Sequence, residues 1–244
     1  MEAYTGFAEV YDIFMDDIPY DRWCDDITGI LASYGIKDGI LCDVGCGTGQ
    51  LTRRLADRGF DMIGIDSSEE MLRVAQAAEY MDHKGILYLC QDMRSFELYG
   101  TVKAVISTCN TVNYLLGDVD VKEFFRLANN YLDPGGLLLF DVHTDEYYKN
   151  IGESVIADDR GDASFIWFNT YDEESFINTY DMVFYVKDED GDSYKRIEET
   201  HSQRAYDAET VIKLLGEAGL EFISAEDDGE GTIFFIAKER GKNV

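Results

Sequence analysis

Short apolar runs alternate with helical stretches between residues 39 and 140, and this alternation limits the fold more than any other feature of the chain. Strands that are separated by helices form βαβ units, in which successive strands lie parallel in one sheet. This region therefore predicts an α/β fold with a parallel sheet. The predicted strands are 40–44, 62–65, 85–90, 102–107 and 137–142, and the predicted helices are 50–58, 69–80 and 119–131.

The segments on either side of this region have other patterns. Two helices are predicted at 4–16 and 20–34, where they would cover the ligand-binding edge of the sheet. After Thr144 apolar and polar residues alternate, which is typical of antiparallel strands joined by hairpin turns. A helix and two strands that return to the main sheet complete the chain. The predicted hairpin strands are 164–170, 176–187 and 193–204, the second turn is 188–192, and the final helix and strands are 208–218, 220–225 and 232–238.

Together these elements predict a doubly wound, mostly parallel sheet of seven strands with an antiparallel β-hairpin insertion after the fifth strand. We expect residues 1–144 and 207–244 to form the sheet domain and residues 145–206 to form the insert. The chain has only two prolines, so no proline-rich linker separates independent modules.

Charge and composition exclude several classes of partner. The chain has 49 acidic and 21 basic side chains, a formal net charge of −28, and no cluster of Lys and Arg that would bind a phosphate backbone. No apolar run is long enough to span a bilayer, and Met1-Glu2-Ala3 lacks the basic start of a signal peptide. The five cysteines lack CxxC spacing, as expected for reduced thiols. We therefore expect a cytoplasmic protein without direct nucleic-acid or membrane partners.

A glycine-rich turn follows the first predicted strand and precedes a helix. Residues 41–51 are Leu-Cys-Asp-Val-Gly-Cys-Gly-Thr-Gly-Gln-Leu. A dinucleotide fingerprint, GxGxxG, would need its third glycine at Gln50, but that glycine comes one residue earlier, at Gly49. Asp43 precedes the first glycine by two residues, which gives the pattern DxGxGxG. A second acid, Asp66, ends the next strand, so both acids lie where a doubly wound sheet binds ligands.

This pattern resembles the first motif of the class I S-adenosylmethionine-dependent methyltransferases. The resemblance implies a Rossmann-like methyltransferase fold and S-adenosyl-L-methionine as the cofactor. Asp43 would face the ammonium group of this cofactor, and Asp66 would accept hydrogen bonds from both ribose hydroxyls. Glycines without side chains would let the cofactor approach the backbone. The other cofactor-binding residues implied around these two strand ends are Gly45, Cys46, Gly47 and Ser67.

The next two strand ends also match the family. Gln91-Asp92-Met93 follows the third strand, where the family binds adenine through an acidic or amide side chain. Met71 and Met93 would sandwich the ring, although both residues are also compatible with a plain core. Cys109 and Asn110 follow the fourth strand, which in the family borders the methionine part of the cofactor and the substrate.

A narrower resemblance comes from Phe7-Ala8-Glu9-Val10-Tyr11-Asp12 and from the hairpins. Both are similar to the small-molecule N-methyltransferases, which include glycine N-methyltransferase and sugar-amine dimethyltransferases. The resemblance implies a small-molecule acceptor, an amine, and an aromatic contact to the cofactor from Tyr11 or Tyr20. Both tyrosines lie in predicted helices, where an aromatic side chain can equally serve as a packing residue.

Methyl transfer is an in-line displacement at an activated carbon, so alignment and exclusion of water supply much of the catalysis and a protein base is optional. His143, at the end of the fifth strand, is the first candidate base, followed by Tyr114 and His201. His143 could instead contact the substrate or tie the strand to the insert. We expect no metal, because Asp141 and its acidic neighbours alternate between opposite sides of a strand.

Other functions remain open from the sequence. The chain could be a cofactor-binding sensor or an inactive partner subunit, or an RNA or protein methyltransferase that needs a partner. It could also transfer methyl to oxygen or carbon. Turnover with an acceptor distinguishes an enzyme from a sensor.

The insert is expected to form a lid over the methyl-transfer site, with His201 and Arg204 as substrate contacts. Its alternating strands produce an apolar face that must be buried against something. The competing interpretation is a dimer interface, so the protein is expected to be a monomer or a homodimer. The expected face includes Phe165, Trp167, Phe184 and Tyr185.

Overall fold

The computed structural model describes residues 8–188, 191 and 193–241. Phe7 and the turn residues 189, 190 and 192, which the sequence analysis used, lie outside the described residues. The helices are α1 (Ala8–Phe14), α2 (Tyr20–Ser33), α3 (Gln50–Asp57), α4 (Glu69–Asp82), α5 (Asp118–Tyr131), α6 (Asp145–Ile151) and α7 (Ala208–Glu217). The strands are β1 (Ile40–Val44), β2 (Asp61–Asp66), β3 (Leu87–Cys90), β4 (Val102–Ser107), β5 (Leu132–His143), β6 (Ser154–Asp159), β7 (Ala163–Asp172), β8 (Ile177–Lys187), β9 (Tyr194–Arg204), β10 (Leu220–Asp227) and β11 (Thr232–Glu239).

Seven strands form the main sheet in the order β10-β11-β5-β4-β1-β2-β3. The pairs among β1 to β5 are parallel, while β11 is antiparallel to both β5 and β10. The predicted doubly wound, mostly parallel sheet is therefore confirmed. The order reverses at β1, which lies between β2 and β4, so the loops after β1 and β4 diverge and leave a crevice at the carboxyl ends of the strands.

Helices cover both faces of this sheet because each has one apolar stripe. In α2 the buried residues Cys24, Ile27 and Leu31 recur at helical spacing and pack with β1 and α3 on one face. On the other face α5 buries Phe124 and Phe125 in a cluster that also contains residues of α7. The helices on the two faces of the sheet fix the positions of its strands.

A second, four-stranded antiparallel sheet has the order β6-β7-β8-β9. Phe165 pairs with Phe184 and Trp167 with Met182, so these side chains share one face. Tyr185 was wrongly assigned to this face: it follows Phe184 directly, and successive residues of a strand point to opposite sides. The sequence analysis also missed β6, most of whose residues are exposed, and the seven-residue helix α6.

Among the described residues, no helix is long and apolar enough to cross a membrane.

Candidate active site

The glycine-rich turn folds back onto β2. The backbone N–H groups of Gly45 and Cys46 both donate to the carbonyl of Ile65, at 2.7 and 3.0 Å. Gly45, Gly47 and Gly49 have φ of 79°, 54° and 77°, in the left-handed region that favours glycine. The turn therefore depends on its glycines to pass from β1 into α3.

The glycines have different steric roles. A Cβ at Gly45 would overlap the side chain of Thr111, and a Cβ at Gly49 would overlap the hydroxyl of Tyr88. A Cβ at Gly47 would meet no atom within 4 Å, and Gly47 lines a cavity at the strand ends. Gly47 thus leaves a stretch of bare backbone open to a ligand.

Asp66 ends β2 and holds the turn in this shape. Its Oδ2 accepts a hydrogen bond from the N–H of Gly47 at 2.8 Å, and its Oδ1 accepts one from the N–H of Ser68 at 2.8 Å. Burial raises the pKa of Asp66, and the backbone N–H donors oppose this shift by favouring the carboxylate. Asp66 also lines the cavity, so one carboxylate orders the turn and faces the ligand space.

The first cavity has a volume of about 230 Å³ and collects most of the expected cofactor residues. Asp92 is held on its wall by Arg94, whose guanidinium donates to both carboxylate oxygens and lowers the pKa of Asp92. Residues that the sequence analysis missed are Val44, Ile65, Arg94, Thr111 and Leu115. The expected residues that line the cavity are Tyr11, Gly45, Gly47, Asp66, Ser67, Met71, Gln91, Asp92, Met93, Cys109 and Tyr114.

Four expected cofactor contacts do not line this cavity. Asp43 is only 2% exposed and accepts a hydrogen bond from Oγ1 of Thr52 at 2.6 Å; burial raises its pKa to about 7. Asp43 therefore faces α3, whereas the prediction placed it against the cofactor ammonium group. The Arg54 guanidinium lies over the ring of Tyr20, 5.4 Å from the ring centroid. The third and fourth are Cys46, which is absent from the wall, and Asn110, which lines a second cavity.

The second cavity has a volume of about 350 Å³ and shares Tyr11, Cys109 and Tyr114 with the first. We call it the aromatic chamber, because seven aromatic rings besides the two shared tyrosines contribute to its wall. None of the described residues that line it is Lys, Arg, Asp or Glu. Its other lining residues are Phe14, Met15, Ile18, Trp23, Asn110, His143, Tyr147, Phe165, Trp167, Tyr180, Met182, Phe184, His201 and Gln203.

His143 lies in this wall but is poorly suited to act as a base. It is 7% exposed, its Nδ1 is 3.1 Å from Oγ1 of Thr232, and its ring stacks on Tyr147. Burial lowers its pKa to about 3, because the imidazolium would lose its hydration. The structure thus favours His143 as a neutral hydrogen-bonding residue over a proton acceptor.

We expect His143 to remain neutral between pH 5 and pH 8, because its lowered pKa lies below this range. The chain has three histidines, so nitrogen-15 NMR of selectively labelled protein can resolve each imidazole. The His143 nitrogen shifts should stay constant over this range, and the same sample unfolded in urea should titrate near pH 6.5. A native His143 midpoint between pH 6 and pH 7 would contradict the assignment.

A hydrogen-bonded chain of three side chains reaches the chamber from β9. Oε2 of Glu199 lies 2.7 Å from Nε2 of His201, and Nδ1 of His201 lies 3.0 Å from the hydroxyl of Tyr114. Glu199 and His201 are 6% and 3% exposed, and Tyr114 lines both cavities. Ile197, Glu199 and His201 occupy alternate positions in β9 and therefore lie on one face of the strand. This alternation is the sequence pattern that could have placed Glu199 beside His201.

Arg204 does not contribute to the chamber, contrary to expectation. Its Nη1 donates to Oδ1 of Asp118 at 2.7 Å, and its guanidinium lies 4.9 Å from the ring centroid of Tyr206. The residue therefore fastens the end of β9 to α5.

Helix α1 is fastened to the glycine-rich turn through Asp12. Its two carboxylate oxygens accept hydrogen bonds from Oγ1 of Thr48 and Nε2 of Gln50, each at 2.6 Å. This contact fixes the neighbouring Tyr11 between the two cavities.

Within the described ranges, no three His, Cys, Asp or Glu side chains are grouped as ligands for a metal ion.

Comparison with known proteins identifies the family. Residues 41–136 match the family described as Methyltransferase domain. A Bacillus subtilis protein named "Putative methyltransferase YqeM" is 37% identical over 99% of this chain and 98% of its own length. The chain belongs to the class I S-adenosylmethionine-dependent methyltransferases. It is an enzyme whose cofactor is S-adenosyl-L-methionine, and the open backbone at Gly47 beside Asp66 fits this group.

Two further relatives show the range of the similarity. The crystal structure of an S-adenosylmethionine-dependent methyltransferase from Clostridium acetobutylicum superposes with a TM-score of 0.85, is 26% identical and covers 98% of this chain and 100% of that one. A dTDP-3-amino-3,6-dideoxy-alpha-D-glucopyranose N,N-dimethyltransferase from Streptomyces fradiae is 27% identical over 57% of this chain and 54% of that protein.

Proposed function

We propose that the protein transfers a methyl group from S-adenosylmethionine to a small-molecule amine bound in the aromatic chamber. The observation that carries the proposal is the common wall of the two cavities, formed by Tyr11, Cys109 and Tyr114, to which the Glu199–His201 pair is hydrogen-bonded. An acceptor in the chamber would lie next to the first cavity. The sugar-amine dimethyltransferase relative supports an amine as the acceptor class.

The chain's own residues would bind and orient the two reactants. S-adenosylmethionine supplies a methyl group that its sulfonium activates for displacement. Asp66 and Gly47 would hold the cofactor in the first cavity, and the apolar wall of the chamber would exclude water. Alignment of this kind supplies a large part of the rate enhancement in displacement reactions.

Tyr114, His201 and Glu199 would accept the proton that the amine loses. The Tyr114 oxygen takes this proton and passes its own hydroxyl proton to Nδ1 of His201. His201 then becomes an imidazolium whose Nε2–H donates to the Glu199 carboxylate at the observed 2.7 Å. The amine nitrogen uses its freed electron pair to bond to the methyl carbon, and the carbon–sulfur electrons pass to sulfur.

A labelled-methyl assay tests this function. We expect transfer from S-adenosylmethionine to members of a panel of primary and secondary amines, and little transfer to the hydroxyl analogue of each. Tyr114→Phe should lower kcat at pH 7 by about 100-fold, the lower limit for loss of a general base, with unchanged affinity for S-adenosylhomocysteine. Tyr99→Phe, at a fully exposed tyrosine, is the matched control. Cofactor binding without turnover on any acceptor would favour a sensor, and transfer to hydroxyls alone would contradict the amine.

A further inference from the structure

The wall of the chamber is rich in aromatic rings. Phe14 of α1 meets Phe165 of β7 edge to face, with centroids 4.9 Å apart, and Trp167 meets Tyr180 in the same way at 4.7 Å. None of the described lining residues is Lys, Arg, Asp or Glu. Rings arranged around a cavity attract an organic cation through their negative faces.

Among the described residues of the wall, two buried polar atoms have no hydrogen-bond partner. They are Nε1 of Trp167, a donor, and Oδ1 of Asn110, an acceptor. An unsatisfied buried polar group is costly, and a bound ligand is one way to satisfy it. The pair therefore fits a ligand with an oxygen that accepts from the indole and an N–H or O–H group that donates to the amide.

Among the described residues that line the chamber there is no Lys or Arg to pair with an anionic group. The three arginines of the insert are already paired: Arg160 donates to Asp16 and Asp158, Arg196 to Glu198, and Arg204 to Asp118. A phosphate or carboxylate in the chamber would lose its hydration without gaining a counter-ion. The net charge of −28 adds a repulsive field. The volume of about 350 Å³ is also close to the lower limit of ligand sites, about 300 Å³.

We infer that the aromatic chamber binds its acceptor as an organic cation that carries a polar group and no phosphate or carboxylate. Calling this ligand the acceptor rests on the proposed function; the charge preference itself does not. The ammonium form enters among the rings, and its proton leaves through Tyr114 before transfer. This acceptor class differs from the dTDP-linked sugar in the name of the Streptomyces fradiae relative.

An isosteric pair of probes separates charge from shape. Choline and 3,3-dimethylbutan-1-ol have the same shape and hydroxyl, and only choline is charged. Both tryptophans of the chain, Trp23 and Trp167, line the chamber, so intrinsic fluorescence of the full chain saturated with S-adenosylhomocysteine reports binding. Choline is expected to bind about 5- to 30-fold more tightly than the alcohol. Phosphocholine is expected to bind more weakly than choline.

Two variants at Trp167 test whether the wall causes the preference for choline over the alcohol. Calorimetry measures the affinity of each variant for both probes. Trp167→Phe keeps a ring and should keep the preference for choline, whereas Trp167→Leu should reduce it at least threefold. Equal binding of choline and the alcohol, tighter binding of phosphocholine, or no binding of any probe would overturn the inference. These measurements require no methyl transfer, so their failure is distinct from failure of the amine assay.

Discussion

Replacing Asp66 with Ala is expected to weaken binding of S-adenosylhomocysteine by about 10- to 150-fold, the equivalent of about 1.5–3 kcal/mol for hydrogen bonds to a charged group. The carboxylate lines the first cavity and also accepts from the N–H of Gly47, so the variant loses a ligand contact and an anchor of the turn. Titration calorimetry measures the change directly.

Asp61→Ala is the matched control, because Asp61 begins the same strand and is exposed at its opposite end. Its affinity should equal that of the wild-type protein. A change of less than threefold for Asp66→Ala would remove Asp66 from the cofactor site, and NADH binding in place of the sulfonium cofactor would contradict the site as a whole.

Replacing Gly45 with Ala is expected to lower the free energy of unfolding by about 2–6 kcal/mol. The left-handed φ of 79° contributes about 1–3 kcal/mol of strain for a residue with a Cβ. The overlap with Thr111 adds about 1–3 kcal/mol of overpacking. Urea unfolding measures the sum, and an unchanged m value would show that the comparison is valid.

A double-mutant cycle separates the two causes. Thr111→Ala removes the atoms that a Cβ at Gly45 would overlap, so the double variant should be more stable than additivity predicts. Gly29→Ala is the control: this glycine lies in the middle of α2, where a Cβ meets no atom within 4 Å, and the change should stabilise by about 0.5–1 kcal/mol. A loss below about 1 kcal/mol for Gly45→Ala would show that the turn tolerates a side chain.

The main sheet could be predicted because its information is local. Each predicted strand is a short apolar run beside a helical pattern, and β1 and β4 have the predicted bounds. The strand-end residues on the carboxyl side follow from the parallel topology, and of these Asp66, Gln91 and Asp92 line the first cavity. Asp43 is not among the lining residues. The last four residues of β1 are all buried, so burial alone does not indicate which side of the sheet the Asp43 side chain faces.

The sequence analysis placed the apolar face of the insert over the methyl-transfer site, but the individual contacts of the chamber could not be predicted from local patterns, because they join segments that are distant in the chain. Tyr114 and His201 are separated by 87 positions, and their hydrogen bond depends on how β9 lies against the turn after β4. The alternation in β9 indicates which of its residues share a face, but it does not reveal that Tyr114 is the hydrogen-bond partner of His201. Helix α6 was missed for a different reason. Its seven residues contain too few turns for a periodic pattern to be recognised.

Under the proposed function, the attachment of α1 to the glycine-rich turn through Asp12 would couple ligand binding in the first cavity to ligand binding in the aromatic chamber. A cofactor that stabilises the turn also stabilises the position of Asp12, and with it Tyr11 in the wall of the chamber. Coupling of this kind is reciprocal, so the factor by which the cofactor strengthens acceptor binding equals the factor by which the acceptor strengthens cofactor binding. Release of the demethylated cofactor and release of the methylated product would consequently be linked steps, and the first to leave would loosen the site of the second.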